Sequence, residues 1–198
     1  MEGVFTHGGH SYRRAGAAEG AASDEVSALA DAAAALRGDG FEVRTISAGS
    51  TPTRLLAATG SVNEIRAGTY VLGDRHETVL AGTGPEELAA AVVATVVSRP
   101  SSDRFVVDAG AKALTKDRAD FVEGFGLVRG YPSAIVERLN DYHGVVSTNG
   151  GPAPELGESV AIVPNHICPV VDLFDRAVIV RGGRVIDQWR VDARGRSG

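Results

Sequence analysis

The sequence predicts two textures in one chain: an α/β segment with parallel strands, then an all-β segment with antiparallel strands. Three observations carry this reading. Strand-like and helix-like runs alternate over the first third. Closely spaced β-branched runs, separated by turn residues, fill most of the remainder. Arg181-Gly182-Gly183-Arg184 lies between two such runs, a hairpin signal because two central glycines accept the positive φ angles of a tight turn.

The elements follow in order. Residues 3–6 read as a short strand that ends in the polar turn HGGHSY. A helix is expected over 24–37, with Ser23 as its cap, Asp24 and Glu25 at its positive end and Gly38 as its stop. FEVRTIS, residues 41–47, alternates with the period of a strand. Residues 48–53 form a glycine-containing turn, 53–58 a short helix, and 64–72 a further strand. Strand, helix and strand in this rhythm imply parallel pairing through crossover connections. Beyond Gly82 the texture changes. Residues 91–98 read as a strand bounded by Arg99-Pro100, with a helical alternative around 85–90. RFVVDAG, ESVAIVPNH, RAVIV and GRVIDQWRVD supply further strands, and NGGPAPELG reads as a surface loop. The division is placed at 86/87, giving segments 1–86 and 87–198.

Bulk properties narrow the function. At 198 residues and 43% hydrophobic content the chain can bury one core or two small ones. A formal charge of −5 with scattered basic residues argues against nucleic acid as a partner. No apolar run reaches membrane-spanning length, the N-terminus lacks a basic-then-apolar leader pattern, and the single cysteine excludes an internal disulfide. A cytoplasmic, membrane-free protein is the expectation.

Three constellations could carry chemistry. In SAGSTPT, Gly49 allows close backbone approach while Ser50, Thr51 and Thr53 offer hydroxyls; the run is either a phosphate cradle or an ordinary Ser/Thr-capped turn. In VAIVPNHICP, His166 and Cys168 stand two apart at a strand end, so their side chains share a face; they are either a nitrogen–sulfur pair suited to zinc or a buried cysteine beside a hydrogen-bonded histidine. HGGHSY places His7, His10, Ser11 and Tyr12 at a strand end, where α/β sites form, or is simply a polar loop. Tyr70 sits in a strand and either faces a cofactor or fills the core, His143 is either a base or a turn residue, and His76 reads as a solvated loop residue.

The order of the segments is more specific than any one of them. GVFTHGGHSY, SAGSTPT, EIRAGTYV, SRPSSDRFVVDAGAKAL, ERLNDYHG, VPNHICP and VIDQWRVDARG together resemble the D-serine dehydratase / D-threonine aldolase family, over nearly the whole chain. The resemblance implies the C-terminal portion of an alanine-racemase-type α/β barrel that holds pyridoxal 5′-phosphate, followed by an antiparallel β domain. It implies that Gly49, Ser50 and Thr51 bind the cofactor phosphate, that Tyr12 and Tyr70 lie around the cofactor, and that His166 and Cys168 hold a metal, zinc in the dehydratase branch. Aldolase-branch members often carry a carboxylate where Cys168 stands, so Cys168 points toward dehydratase-like chemistry. The implied reaction converts a β-hydroxy D-amino acid to a keto acid and ammonia; the aldolase variant breaks the Cα–Cβ bond instead.

The chain departs from the family in its lysines. Only Lys112 and Lys116 are present, and neither matches the family's Schiff-base lysine. The expectation is a chain without the first half of the barrel, inactive alone, and prone to self-association or to pairing with a separate N-terminal half. A non-catalytic metal- or phosphate-binding protein is the competing reading. A zinc hydrolase using His166, Cys168 and a histidine of HGGHSY is a third.

Overall fold

Residues 2–196 are described by a computed structural model of the chain. Two units divide it, Met1–Ala89 and Ala90–Gly198.

In the first unit, β1 (Gly3–Phe5), β2 (Thr45–Ala48) and β3 (Glu64–Ile65) form a parallel sheet in that order, with Val4 opposite Ile46 and Ser47 opposite Glu64. The crossover between β1 and β2 is a single long helix, α1 (Ala18–Gly38). It begins six residues earlier than Ser23 capping would place it. Ala18, Ala21 and Ala22 extend the buried stripe of Glu25, Leu29 and Ala33 by another turn, so packing outweighs the cap signal. That stripe meets Val43, Ile46, Ala48 and Ala57 to make the unit's core. The expected strand over 41–47 is paired only as β2, and Phe41 is exposed. Residues 53–58 make hydrogen-bonded turns rather than a helix, with the Ala57 and Leu56 amides both donating to the Thr53 carbonyl. The expected strand over 64–72 shrinks to β3, and Tyr70 falls in a 3-10 turn, Thr69–Val71. Next comes α2 (Arg75–Leu80), whose first turn is capped by the Asp74 side chain accepting from the Glu77 amide. A 3-10 turn, Pro85–Glu87, is all that forms of the helical alternative there.

The second unit is a closed six-stranded antiparallel barrel. Its strands are β4 (Val92–Ser101), β5 (Arg104–Val107), β6 (Gly126–Val128), β7 (Ile135–Leu139), β8 (Gly144–Ser147) and β9 (Ser159–Pro164), in the spatial order β4-β5-β8-β7-β6-β9. Pairing of β4 with β9 closes the ring and removes the free edges. Inward alternation buries Val96, Phe105, Val107, Val128, Val136, Val146 and Ile162. A one-turn helix, α3 (Ala111–Leu114), follows β5. β4 does not stop at Arg99-Pro100. It runs through them, because the ladder skips from Ser98↔Val106 to Ser101↔Arg104 and asks nothing of the missing proline N–H. After β9 come α4 (Ile167–Val171) and the hairpin of β10 (Arg176–Arg181) and β11 (Arg184–Arg190). Arg181 pairs with Arg184 across Gly182 and Gly183, whose φ angles of 56° and 74° are those the hairpin signal required.

A candidate metal centre and a buried serine–threonine turn

The VPNHICP run is strand only as far as Pro164. Asn165 turns the chain out of the barrel wall. Its buried side-chain amide donates to the carbonyls of Asp117 (2.9 Å) and Gly124 (2.8 Å), satisfying both ends of the loop 117–124. His166 keeps extended backbone as the N-cap of α4, and Cys168 stands in that helix's first turn. The alternation expected to put the two side chains on one face of a strand is therefore absent. They stand two positions apart at a strand-to-helix corner instead.

His166 is half-buried, and its Nδ1 lies 2.7 Å from Asp117 Oδ2. Cys168 is exposed and in no disulfide. Among the described residues no group of three or more His, Cys, Asp or Glu side chains is placed to hold a metal ion. A cation here would thus have two protein ligands and open positions, as in a site that also binds water or substrate. With Nδ1 committed to Asp117, ligation by His166 would run through Nε2. A soft thiolate beside an imidazole suits zinc better than magnesium or calcium. The residues that follow Asp117, Arg118, Ala119, Asp120, Phe121, Val122 and Glu123, line an open cavity of about 710 Å³. Sequence reasoning missed Asp117, 49 residues upstream of its histidine; no local spacing announces that contact.

In the first unit the SAGSTPT turn is buried rather than open. Gly49 has φ +96°, as a tight strand exit requires, and Ser50, Thr51 and Thr53 are almost wholly inaccessible. Its amides are already engaged. Gly49 N–H donates to Glu25 Oε1 at 3.2 Å, and Ser50 N–H donates to Thr53 Oγ1 at 2.8 Å. The Tyr12 hydroxyl is hydrogen-bonded by the Ser50 side chain and the Thr51 backbone. Burial above all, then the Glu77 carboxylate, pushes the Tyr12 phenol above its ordinary range in spite of those bonds. Ser11 Oγ lies 3.2 Å from Ser50 Oγ, and the His7 and Tyr12 rings are 6.0 Å apart. Tyr70 is 57% exposed, in its 3-10 turn. Glu25 is the residue that sequence reasoning misplaced. It reads as a helix-end acid, yet its carboxylate is buried and joins Gly8 N–H (2.7 Å) to Gly49 N–H. Its position among Ala18, Ala21, Ala22, Leu29 and Ala33 was the available signal.

Lys112 is exposed. Its Nζ lies 2.9 Å from the Tyr142 hydroxyl, 4.2 Å from the centre of that ring, and 3.5 Å from Asp141. The Tyr142 hydrogen bond leads in raising its pKa, the opposite of what an imine-forming lysine needs. His10 pairs with Asp24 at 3.1 Å on the surface, apart from the serine–threonine turn's buried bonds.

Comparison with known proteins fits this layout. Residues 89–180 match the family described as "Putative serine dehydratase domain". D-threonine aldolase of an Arthrobacter species is 37% identical over 164 residues, 81% of this chain and 42% of that protein. An uncharacterized protein of Mycobacterium tuberculosis is 36% identical over 132 residues, 64% of this chain and 99% of that protein. D-threo-3-hydroxyaspartate dehydratase of Delftia sp. is 34% identical over 211 residues, and its solved structure superimposes with TM-score 0.87 over 96% of this chain and 55% of that one. Two variants of that enzyme, a histidine-to-alanine and a cysteine-to-alanine change two positions apart, have solved structures, the latter in a metal-free form. The chain spans about half the length of the named enzymes it resembles. With the barrel closed, the segments in register and these relatives aligned on it, the chain belongs to the D-serine dehydratase / D-threonine aldolase family, of alanine-racemase-type fold.

Proposed function

We propose that this chain is the metal-bearing portion of a pyridoxal-phosphate-dependent lyase that acts on D-amino acids carrying a β-hydroxyl, of the dehydratase–deaminase type. Residues 87–198 hold a divalent cation, zinc by donor chemistry, on His166 and Cys168. Residues 1–86 belong to the barrel half that surrounds the cofactor. The observation that carries the proposal is the corner at His166 and Cys168, where an imidazole fixed by a carboxylate stands two positions from an exposed thiol. The metal-free cysteine variant of a D-threo-3-hydroxyaspartate dehydratase supports the same assignment.

A cation bound there would polarise the β-hydroxyl oxygen of the substrate as a Lewis acid. His166 and Cys168 would hold that cation. In the first unit, Tyr12 keeps its proton at neutral pH and holds the turn around Ser50 and Thr51 in place. In the turn as folded, Glu25, Thr53 and Tyr12 take the Gly49, Ser50 and Thr51 amides, while the Thr51 hydroxyl is buried without a partner among the described residues and is the donor left for a phosphate. Gly49, Ser50 and Thr51 would lie at the cofactor's phosphate, with Tyr12 and Tyr70 around the cofactor.

Both lysines of the chain lie in the second unit, and Lys112 is held as a cation. We therefore expect residues 1–198 alone to be inactive without a lysine-bearing barrel segment. Self-association is part of the same proposal, as is a cytoplasmic setting; among the described residues no helix is long and apolar enough to cross a membrane. A retro-aldol lyase is the second reading, favoured by the 37% identity to a D-threonine aldolase. Zinc analysis of the purified chain tests the proposal. About one zinc per chain is expected, with loss in both H166A and C168A. Equal zinc in wild type and C168A would overturn it.

A further inference from the structure

We propose that Asp117 is a positioning residue for the metal centre: its carboxylate holds the Nδ1–H of the His166 imidazole, which leaves Nε2 as the nitrogen that carries the lone pair and would ligate. The inference rests on the metal reading given above. Its own basis is geometric. Asp117 Oδ2 stands 2.7 Å from His166 Nδ1, although 49 residues separate them. An ionised carboxylate can only accept, so the proton between them sits on Nδ1, and neutral imidazole then has its lone pair on Nε2. A carboxylate behind a ligating histidine also raises the basicity of the ligating nitrogen.

The backbone shows why Asp117 is where it is. The segment 117–124 leaves α3 and returns toward β6, and the buried Asn165 side chain bonds the carbonyls at both of its ends, Asp117 and Gly124. Asn165 is the residue just before His166. One side chain thus turns the strand toward the histidine and pins the loop that carries the histidine's partner. Asp117 itself is partly exposed, so it is not a core residue kept for packing. Asp117 also lies outside the barrel ladder: the paired strands end at Val107 and resume at Gly126.

Two measurements on the full chain test the assignment. The first reads ¹⁵N shifts of the histidine rings in metal-free protein at mildly alkaline pH, with H166Q to identify the signal. The inference predicts the Nδ1–H tautomer for His166 in wild type, a shift toward mixed tautomers in D117N, and recovery of the wild-type pattern in D117E to the extent that its longer arm reaches. The second is zinc affinity by competition with a chromogenic chelator, where D117N should bind about 10–100-fold more weakly than wild type. Thermal unfolding followed by circular dichroism checks that the variants fold. Wild-type protein that takes up no zinc would end the metal reading, while the tautomer measurement would still decide the role of Asp117. Zinc binding that is equal in wild type and D117N overturns the inference. So does an Nε2–H tautomer in wild type, a result that needs no variant to fold.

Discussion

Replacing Glu25 with alanine should destabilise the first unit by about 2–4 kcal/mol. The figure comes from the two amides that the carboxylate serves. Gly8 N–H donates to Oε1 at 2.7 Å and Gly49 N–H at 3.2 Å, and both glycines are buried. Each donor left without an acceptor costs roughly 1–3 kcal/mol, and water entering the vacated space would recover part of the sum. Glutamine keeps a carbonyl oxygen in reach and removes a buried charge, so E25Q should lose about 1 kcal/mol or less. The second oxygen, Oε2, is buried without a hydrogen-bond partner among the described residues, so losing it removes no bond. Urea titration followed at 222 nm is the assay, because α1, with 21 residues, dominates the helical signal and belongs to this unit. An alanine variant within about 0.5 kcal/mol of wild type would refute the clamp, since that is the range of an ordinary surface change. A glutamine variant as damaged as alanine would show that charge, not the bridging acceptor, matters.

Other outcomes follow from the same structure. Phe105 is fully buried in the barrel, and Phe105→Ala should cost about 3–5 kcal/mol, measured by calorimetry; fluorescence is a poor probe because the single Trp189 lies on the exposed hairpin. Asn165→Ala should release the carbonyls of Asp117 and Gly124 and cost about 2–4 kcal/mol in urea titration, with faster amide exchange across 117–124. Tyr12 and Tyr131 should ionise later than an ordinary tyrosine, Tyr12 because of burial and Glu77, Tyr131 because of its bond to Glu158; absorbance titration of Y12F and Y131F identifies each step. For Tyr12 the sign is fixed: its folded pKa is raised, so its contribution is complete below the unfolded value near 10 and is lost as pH climbs past it.

The parts legible in the sequence were those where local chemistry and tertiary need agree. The Gly182-Gly183 hairpin formed as its turn residues require, and β5 and β9 formed where RFVV and SVAIVP run. The first unit was harder. Residues 41–44 and 66–72 have strand-like composition, yet find no paired neighbour in the sheet, so propensity goes unused. β6 and β7 were not foreseen as separate strands. β6 is only three residues long, and one register pair, Leu127 with Ile135, joins the two. At the candidate metal centre the residue types were legible and the geometry was not. An apolar run ending in PNHICP reads as continuous strand, and only a contact from Asn165 to residues more than forty positions away bends it. Asp117 and Glu25 act through such distant contacts, which no spacing rule encodes.

The most direct test of the account is X-ray absorption at the zinc edge on the zinc-loaded full chain. Ligation by Cys168 and His166 predicts one sulfur at about 2.3 Å and one imidazole nitrogen at about 2.0–2.1 Å, with light-atom ligands completing the shell. The sulfur contribution should vanish in C168A and the imidazole contribution in H166A. A shell of nitrogen and oxygen alone in the wild-type chain would contradict the assignment of the metal to this corner.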